Sequence, residues 1–318
     1  MPSRHRSVST PDPRAARWIA REIAGARLRA PSLIITVWGD AIAPHGGAVM
    51  LAGLFRLLAP FGFNERRIRT GVFRLAREGW LQGTPVGRRS LYRLTRDGVR
   101  RFEQAYRRIY APPETRWDES WELVLLDGPT GADRRRLREE LGWEGFASVG
   151  PGILAHPART PSAIPRIAAA LGVSRRILTV RAHDDARLGG AALADVAPRA
   201  WDLAAVGADY RRFLRRFGAV IDRFRDAAGD ARDPEQCFVV RMLLIHAFRR
   251  VLLRDPQLPA ALLPLDWPGA AAYALCRDFY RLTHRAAELH LTATLEGPHG
   301  RLPRANAAFY RRFRGLER

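Results

Sequence analysis

The densest reactive chemistry in the chain is guanidinium chemistry. Arg66, Arg67, Arg69, Arg74 and Arg77 fall within one short segment together with Thr70, and Arg88 and Arg89 follow soon after. A guanidinium is a planar fork of five donors that grips phosphate, or the O6/N7 edge of guanine, with two parallel hydrogen bonds. At 100° per residue Ile68, Val72, Phe73, Leu75 and Ala76 share one broad helical arc, and Arg66, Arg67, Thr70, Arg74 and Arg77 occupy the other. Arg69 stands at the edge. One helix would thus turn an apolar stripe inward and a row of cations outward. A solvated basic face is the plain alternative. A polyanion site is the sharper one, because a second arginine pair follows immediately.

The charge is distributed to match. All 53 Lys+Arg residues are arginine, giving a formal net charge of +21 over 318 residues. Residues 1–110 hold 21 arginines against 7 acids, whereas residues 111–318 hold 32 against 25. Codon bias accounts for arginine in place of lysine, but not for the scarcity of acids in one third of the chain. A basic domain facing a polyanion does. Double-stranded DNA is the leading partner, ahead of RNA or a membrane surface.

Several chemistries are excluded. Without lysine there is no P-loop lysine and no lysine Schiff base. Cys237 and Cys276 alone make neither a disulfide framework nor a cysteine zinc cluster. No GxSxG, HExxH or GxGxxG occurs, and His284 and His290 are six apart, wrong for one metal on one helix face. The expectation is a protein without enzyme activity, cofactor or metal. No apolar run approaches the roughly 18 residues of a membrane span, and the basic N-terminus lacks a signal peptide's apolar stretch, so a cytoplasmic location is expected.

The elements around the arginines can be read next. Residues 1–30 form a basic, partly disordered arm, since Pro2, Pro11 and Pro13 alternate with Ser and Arg. A helix from Ser32 to Trp38, a loop from Asp40 to Gly47 and a helix from Val49 to Leu58 precede Pro60 and Gly62. Asn64 caps the basic helix, and Gly79 ends it. Residues 80–84 and 90–94 read as strands around a Gly- and Pro-containing loop, and a helix runs on to Tyr110. This is the order of a winged helix-turn-helix domain, spanning 31–110. In that fold the basic helix enters the major groove. Arg66, Arg67 and Thr70 then become candidate base readers, with Arg74, Arg77, Arg88 and Arg89 as phosphate contacts and Arg69 in either role.

Ser32-Leu33-Ile34-Ile35-Thr36-Val37-Trp38-Gly39-Asp40, Leu58-Ala59-Pro60-Phe61-Gly62-Phe63-Asn64-Glu65-Arg66 and Phe73-Arg74-Leu75-Ala76-Arg77-Glu78-Gly79-Trp80-Leu81 resemble the N-terminal domain of PaaX-type repressors, the regulators of phenylacetic acid catabolism. The wing Gly87 to Thr95 is similar too, as are Leu244-Ile245-His246, Leu253 to Pro259 and Leu263 to Gly269 near the C-terminus. Residues 117–183 read as βαββαβ, the ferredoxin-like order. The resemblance implies a Cas2-like middle domain that forms a homodimer. It also raises an alternative, because Cas2 nucleases carry an aspartate where Asp127 stands. A single Asp before Gly128-Pro129 is more often a turn residue, and a constitutive, non-specific DNA binder is a further alternative.

Residues 198–296 read as a helical domain, with 297–318 as a tail, so the chain as a whole is a mixed α+β multidomain protein. The helix around Cys237 to Leu253 is apolar almost all round and belongs inside a bundle. Arg241, His246, Arg249 and Arg250 are candidate contacts for an anionic effector; a satisfied core histidine with snorkelling arginines is the alternative. The resemblance implies that the effector is an aryl-acyl-CoA such as phenylacetyl-CoA, whose binding releases operator DNA.

Overall fold

The computed structural model of the chain describes residues 11–111, 117–158, 162–185, 190, 192–226 and 232–316. Packing divides the chain into two compact units that do not follow three consecutive blocks. The first combines residues 1–112, 213–250 and 271–318; the second combines residues 113–212 and 251–270. The expected first domain therefore shares its core with most of the expected last one.

In the first unit, α1 (Pro13–Gly25) starts at Asp12, whose carboxylate accepts the Arg14 N–H at 2.8 Å. Trp18 meets Phe217 edge-on at 5.6 Å, Glu22 pairs with Arg216, and Gln236 exchanges two 3.0 Å hydrogen bonds with the Asp12 backbone. From residue 13 the expected arm is thus a docked helix; residues 1–10 lie outside the described residues. α2 (Ala30–Val37) continues through a wide helical turn, Trp38–Ile42, and a tight one, Ala43–His45, so most of the expected loop is helical. Leu33, Ile34, Val37, Trp38, Ala41 and Ile42 are all fully buried, which keeps that segment wound. Then come β1 (Ala48–Met50), α3 (Leu51–Leu58), α4 (Glu65–Arg77), β2 (Leu81–Val86), β3 (Arg89–Leu94) and α5 (Arg96–Tyr110). The strands form an antiparallel sheet in the order β1-β3-β2. β1 was not legible in the sequence. Pro85 is tolerated inside β2 because that strand is an edge.

The second unit holds β4 (Ser120–Leu125), α6 (Gly131–Trp143), β5 (Ala147–Gly150), β6 (Ile153–Pro157), α7 (Ile164–Ala170) and β7 (Leu178–His183), the expected βαββαβ sequence. The sheet order is β5-β6-β4-β7, all antiparallel. One face packs Val124, Leu126 and Leu154 against Leu137, Leu141 and Ile167 from the two helices. The other packs Trp121 and Ala155 against Trp201, Leu258 and Leu262, with Trp121 and Trp201 stacked at 6.2 Å. α8 (Leu193–Ala200) and the start of α9 (Leu203–Asp226) complete this unit.

The rest of α9, α10 (Pro234–Leu252), α11 (Gly269–Thr294), the two-residue strands β8 (Glu296–Gly297) and β9 (Gly300–Arg301) and α12 (Ala307–Tyr310) return to the first unit, apart from the last two residues of α10 and the first two of α11. The expected tail is an inserted segment, with Phe309, Arg312 and Phe313 at most 1% exposed. A buried charge network crosses this core. Asp40 accepts from the hydroxyls of Tyr110 and Tyr280 and pairs with Arg241 Nε at 3.2 Å and Arg312 Nη1 at 3.6 Å. Arg312 also donates to the Asp40 backbone oxygen and to the Tyr280 hydroxyl, each at 2.8 Å. Arg241 reaches Glu288 at 3.3 Å, and Glu288 accepts from His45 Nε2 at 2.8 Å. Burial alone would weaken both guanidinium charges, but Tyr280, Asp40 and their neighbours hold both arginines firmly protonated.

Candidate nucleic-acid interface

The basic helix is fixed from its start and from one side. Gly62 takes a left-handed φ of 75° to turn the chain out of α3, and Asn64 Oδ1 accepts the Arg67 N–H at 2.9 Å. Ile68, Gly71, Val72 and Leu75 face inward toward α2. Gly71 permits the close approach, because a Cβ there would lie 2.7 Å from Ile34 Cδ1.

Arg66, Arg67, Arg69, Thr70, Arg74 and Arg77 are all exposed, so the structure brings these expected residues onto one solvent face. It also distinguishes them. Arg67 lies over the Phe63 ring at 4.8 Å; Arg69 lies over Phe55 at 4.6 Å and pairs with Glu65 at 3.2 Å. Arg74 pairs with Glu78 at 2.7 Å. The Thr70 hydroxyl donates to the Arg66 carbonyl at 2.9 Å, which turns its polarity back into the helix. Arg66 and Arg77 have no ion-pair partner among the described residues.

Phe73 departs from expectation. It is 62% exposed rather than part of the inward stripe. Measured from the buried residues, its 140° offset from Ile68 puts it beside Arg66 and Arg77, near the middle of the outer face. The apolar arc read from sequence was drawn too wide. A tighter arc centred on Ile68, Val72 and Leu75 would have left Phe73 outside.

The hairpin is tighter than expected. Val86 pairs with Arg89, leaving Gly87 and Arg88 as the turn, and Gly87 adopts φ 57°. Arg88 is exposed at the tip, and Arg89 pairs with Glu296 at 3.2 Å, both partners about half exposed.

The four expected effector residues do not converge. Arg241 is 0% exposed and ion-paired with Asp40 and Glu288, which places it in the core network. His246 Nδ1 lies 2.9 Å from Thr36 Oγ1, to which Arg249 donates at 3.3 Å. Burial first, then Arg249, Arg250 and Arg216, push the His246 imidazole down to about 4, so it is a neutral packing group. Arg250 and His246 line a cavity of about 350 Å³ together with Arg27 and Arg216, while Arg249 lines a different one with Arg74 and Trp80. Local sequence gave no signal for this separation. Among the described residues no cluster of His, Cys, Asp and Glu could hold a metal ion, and no helix is long and apolar enough to cross a membrane.

Three family models match the chain in succession. They are the PaaX-like protein over residues 29–98, the PaaX protein central Cas2-like domain over residues 114–194, and the PaaX-like protein C-terminal domain over residues 201–293. The transcriptional repressor PaaX of Escherichia coli strain K12 is 34% identical over 285 residues, 90% of each chain. Among solved structures, the uncharacterized protein Rv0674 from Mycobacterium tuberculosis is 25% identical; the match covers 88% of this chain and 98% of that one, with a TM-score of 0.48.

Proposed function

The chain belongs to the PaaX family and is a DNA-binding transcriptional repressor of the phenylacetate pathway, not an enzyme; from that premise we propose how it reads and releases its operator. Residues 31–110 act as a winged helix-turn-helix. α4 enters the major groove with Arg66, Arg67 and Thr70 toward the bases, and the β2–β3 hairpin sets Arg88 and Arg89 on phosphates. Arg69, Arg74 and Arg77 supply further backbone contacts, and exposed Phe73 supplies an apolar one. The observation that carries this reading is the outward row of arginines on α4, next to a hairpin whose turn carries Arg88.

The repressor works in the cytoplasm as a homodimer, since two half-sites multiply the few base pairs that one such module reads. The β7 edge supports this assignment. Leu178 is 59% exposed and Val180 39%, and their register opposite Leu125 and Leu123 puts all four on one sheet face. An aryl-acyl-CoA, phenylacetyl-CoA first, releases the DNA by binding the DNA-incompetent conformation more tightly. Sequence selection with the purified protein, followed by titration of the bound operator with phenylacetyl-CoA, phenylacetate and acetyl-CoA, tests the scheme. Absence of any sequence preference would return the protein to the class of constitutive binders. Mg²⁺-dependent DNA cleavage lost in Asp127→Ala would reinstate the nuclease alternative.

A further inference from the structure

A cleft of about 900 Å³ opens in the first unit between the base of the hairpin, α5 and the C-terminal segment. That volume lies within the usual size of small-molecule sites, roughly 300–1,000 Å³. Its walls combine two chemistries. Val99 and the half-buried Phe102 and Tyr106 supply apolar and aromatic surface, with buried Phe309 behind them, and Val99 is left 41% exposed although it is a large hydrophobe. Arg93, Arg107 and Arg312 supply cations against the single acid Glu103. Neither Arg93 nor Arg107 has an ion-pair partner among the described residues. Arg312 is 1% exposed, and its Nε is a buried donor without an acceptor among those residues. Cations without ion-pair partners beside part-exposed apolar and aromatic surface suit an anionic, aromatic occupant.

We propose that this cleft binds a small anionic ligand with an aromatic body. Arg93 and Arg107 would hold the anion, and Val99, Phe102 and Tyr106 would enclose the ring. The site is placed to act on DNA binding. Arg93 pairs across the sheet with Gln82 of β2 and Ala48 of β1, so a ligand on Arg93 touches the root of the hairpin. The opposite wall is tied to the same region by Asn306 N–H donating to the Pro44 oxygen at 2.9 Å and by Tyr106 donating to the Ala308 oxygen. A ligand between these walls changes the angle of the hairpin at its base rather than its tip. Its identification with the effector rests on the reading given under Proposed function; the existence of the site does not.

The test uses the full chain and two probes, the aromatic sulfonate 8-anilinonaphthalene-1-sulfonate by fluorescence and phenylacetyl-CoA by calorimetry. Val99→Trp fills the cleft, and Arg107→Gln removes an anion contact; neither residue lies on α4 or in the hairpin. Both variants are expected to lose at least tenfold in affinity for both probes, while ligand-free operator binding stays within twofold of wild type. If the sulfonate behaves so but phenylacetyl-CoA fails to bind wild type, the site stands and the thioester reading falls. Unchanged sulfonate affinity in both variants, or no binding of either probe to wild type, would overturn the proposal.

Discussion

Phe73→Ala isolates an apolar contribution within an otherwise cationic reading face. A phenylalanine side chain offers about 200 Å², and with 62% exposed in the free protein roughly 120 Å² remains to be covered by DNA. Covering half to all of that area at about 25 cal/mol per Å² gives about 1.5–3 kcal/mol, or roughly 10- to 150-fold in affinity. Thymine C5-methyl groups are the natural apolar partners in the major groove. Replacing each operator thymine in turn with deoxyuridine removes one methyl, worth about 0.8 kcal/mol or roughly fourfold. Anisotropy titrations should show that one such replacement weakens wild type about fourfold and leaves Phe73→Ala unaffected, the signature of two groups in contact. The variant's melting temperature should be unchanged, because the ring is outside the core. Equal operator affinity for Phe73→Ala and wild type, or identical deoxyuridine profiles for the two proteins, would refute the reasoning.

Other perturbations address different parts of the molecule. Arg88→Ala should weaken binding to all sequences alike and reduce the slope of log affinity against log salt by about 0.9, measured by titration at several salt concentrations. Val180→Asp with Leu178→Asp should shift sedimentation from dimer to monomer while the variant's circular dichroism is retained. His246 titrates at about 4 in the folded protein against an ordinary 6.5, so the unfolded chain takes up the proton first. Its contribution is complete above about pH 6.5 and is lost as the pH falls toward 4; His246→Gln should remove roughly 3 kcal/mol of pH dependence from denaturation curves across that window. Arg312→Met should cost about 3–5 kcal/mol by leaving Asp40 buried with less compensation. Combined with Asp40→Asn it should cost less than the sum of the two single changes, as thermal melts would report.

The sequence disclosed those features whose causes are local. Asn64 as a cap, the Ile68/Val72/Leu75 stripe and the outward arginines all follow from helical period. The βαββαβ order of the second unit follows from short apolar runs broken by Gly142, Gly150-Pro151-Gly152 and Gly172. Features with distant causes were hidden. Arg241 looks like any arginine on an apolar helix until Asp40 and Glu288 are found beside it. β1 is three residues long and exists because β3 supplies its partners. α1 and the C-terminal segment are polar enough to read as solvated ends, yet each buries a few aromatic or charged groups against helices remote in sequence. The cleft has the same origin, since its walls come from three separated stretches of chain.

The buried pairing of Asp40 with Arg312 also sets a clock on synthesis. The two residues are 272 positions apart, and at about 5–20 residues per second the ribosome needs roughly 15–55 s to make the second after the first. For most of that interval a nascent chain already contains α4 while Asp40 lacks both of its cations, because Arg241 also lies far downstream, and once Arg241 is made Asp40 still lacks Arg312. A polypeptide abandoned or clipped before residue 312 would therefore be a poor repressor rather than a smaller one.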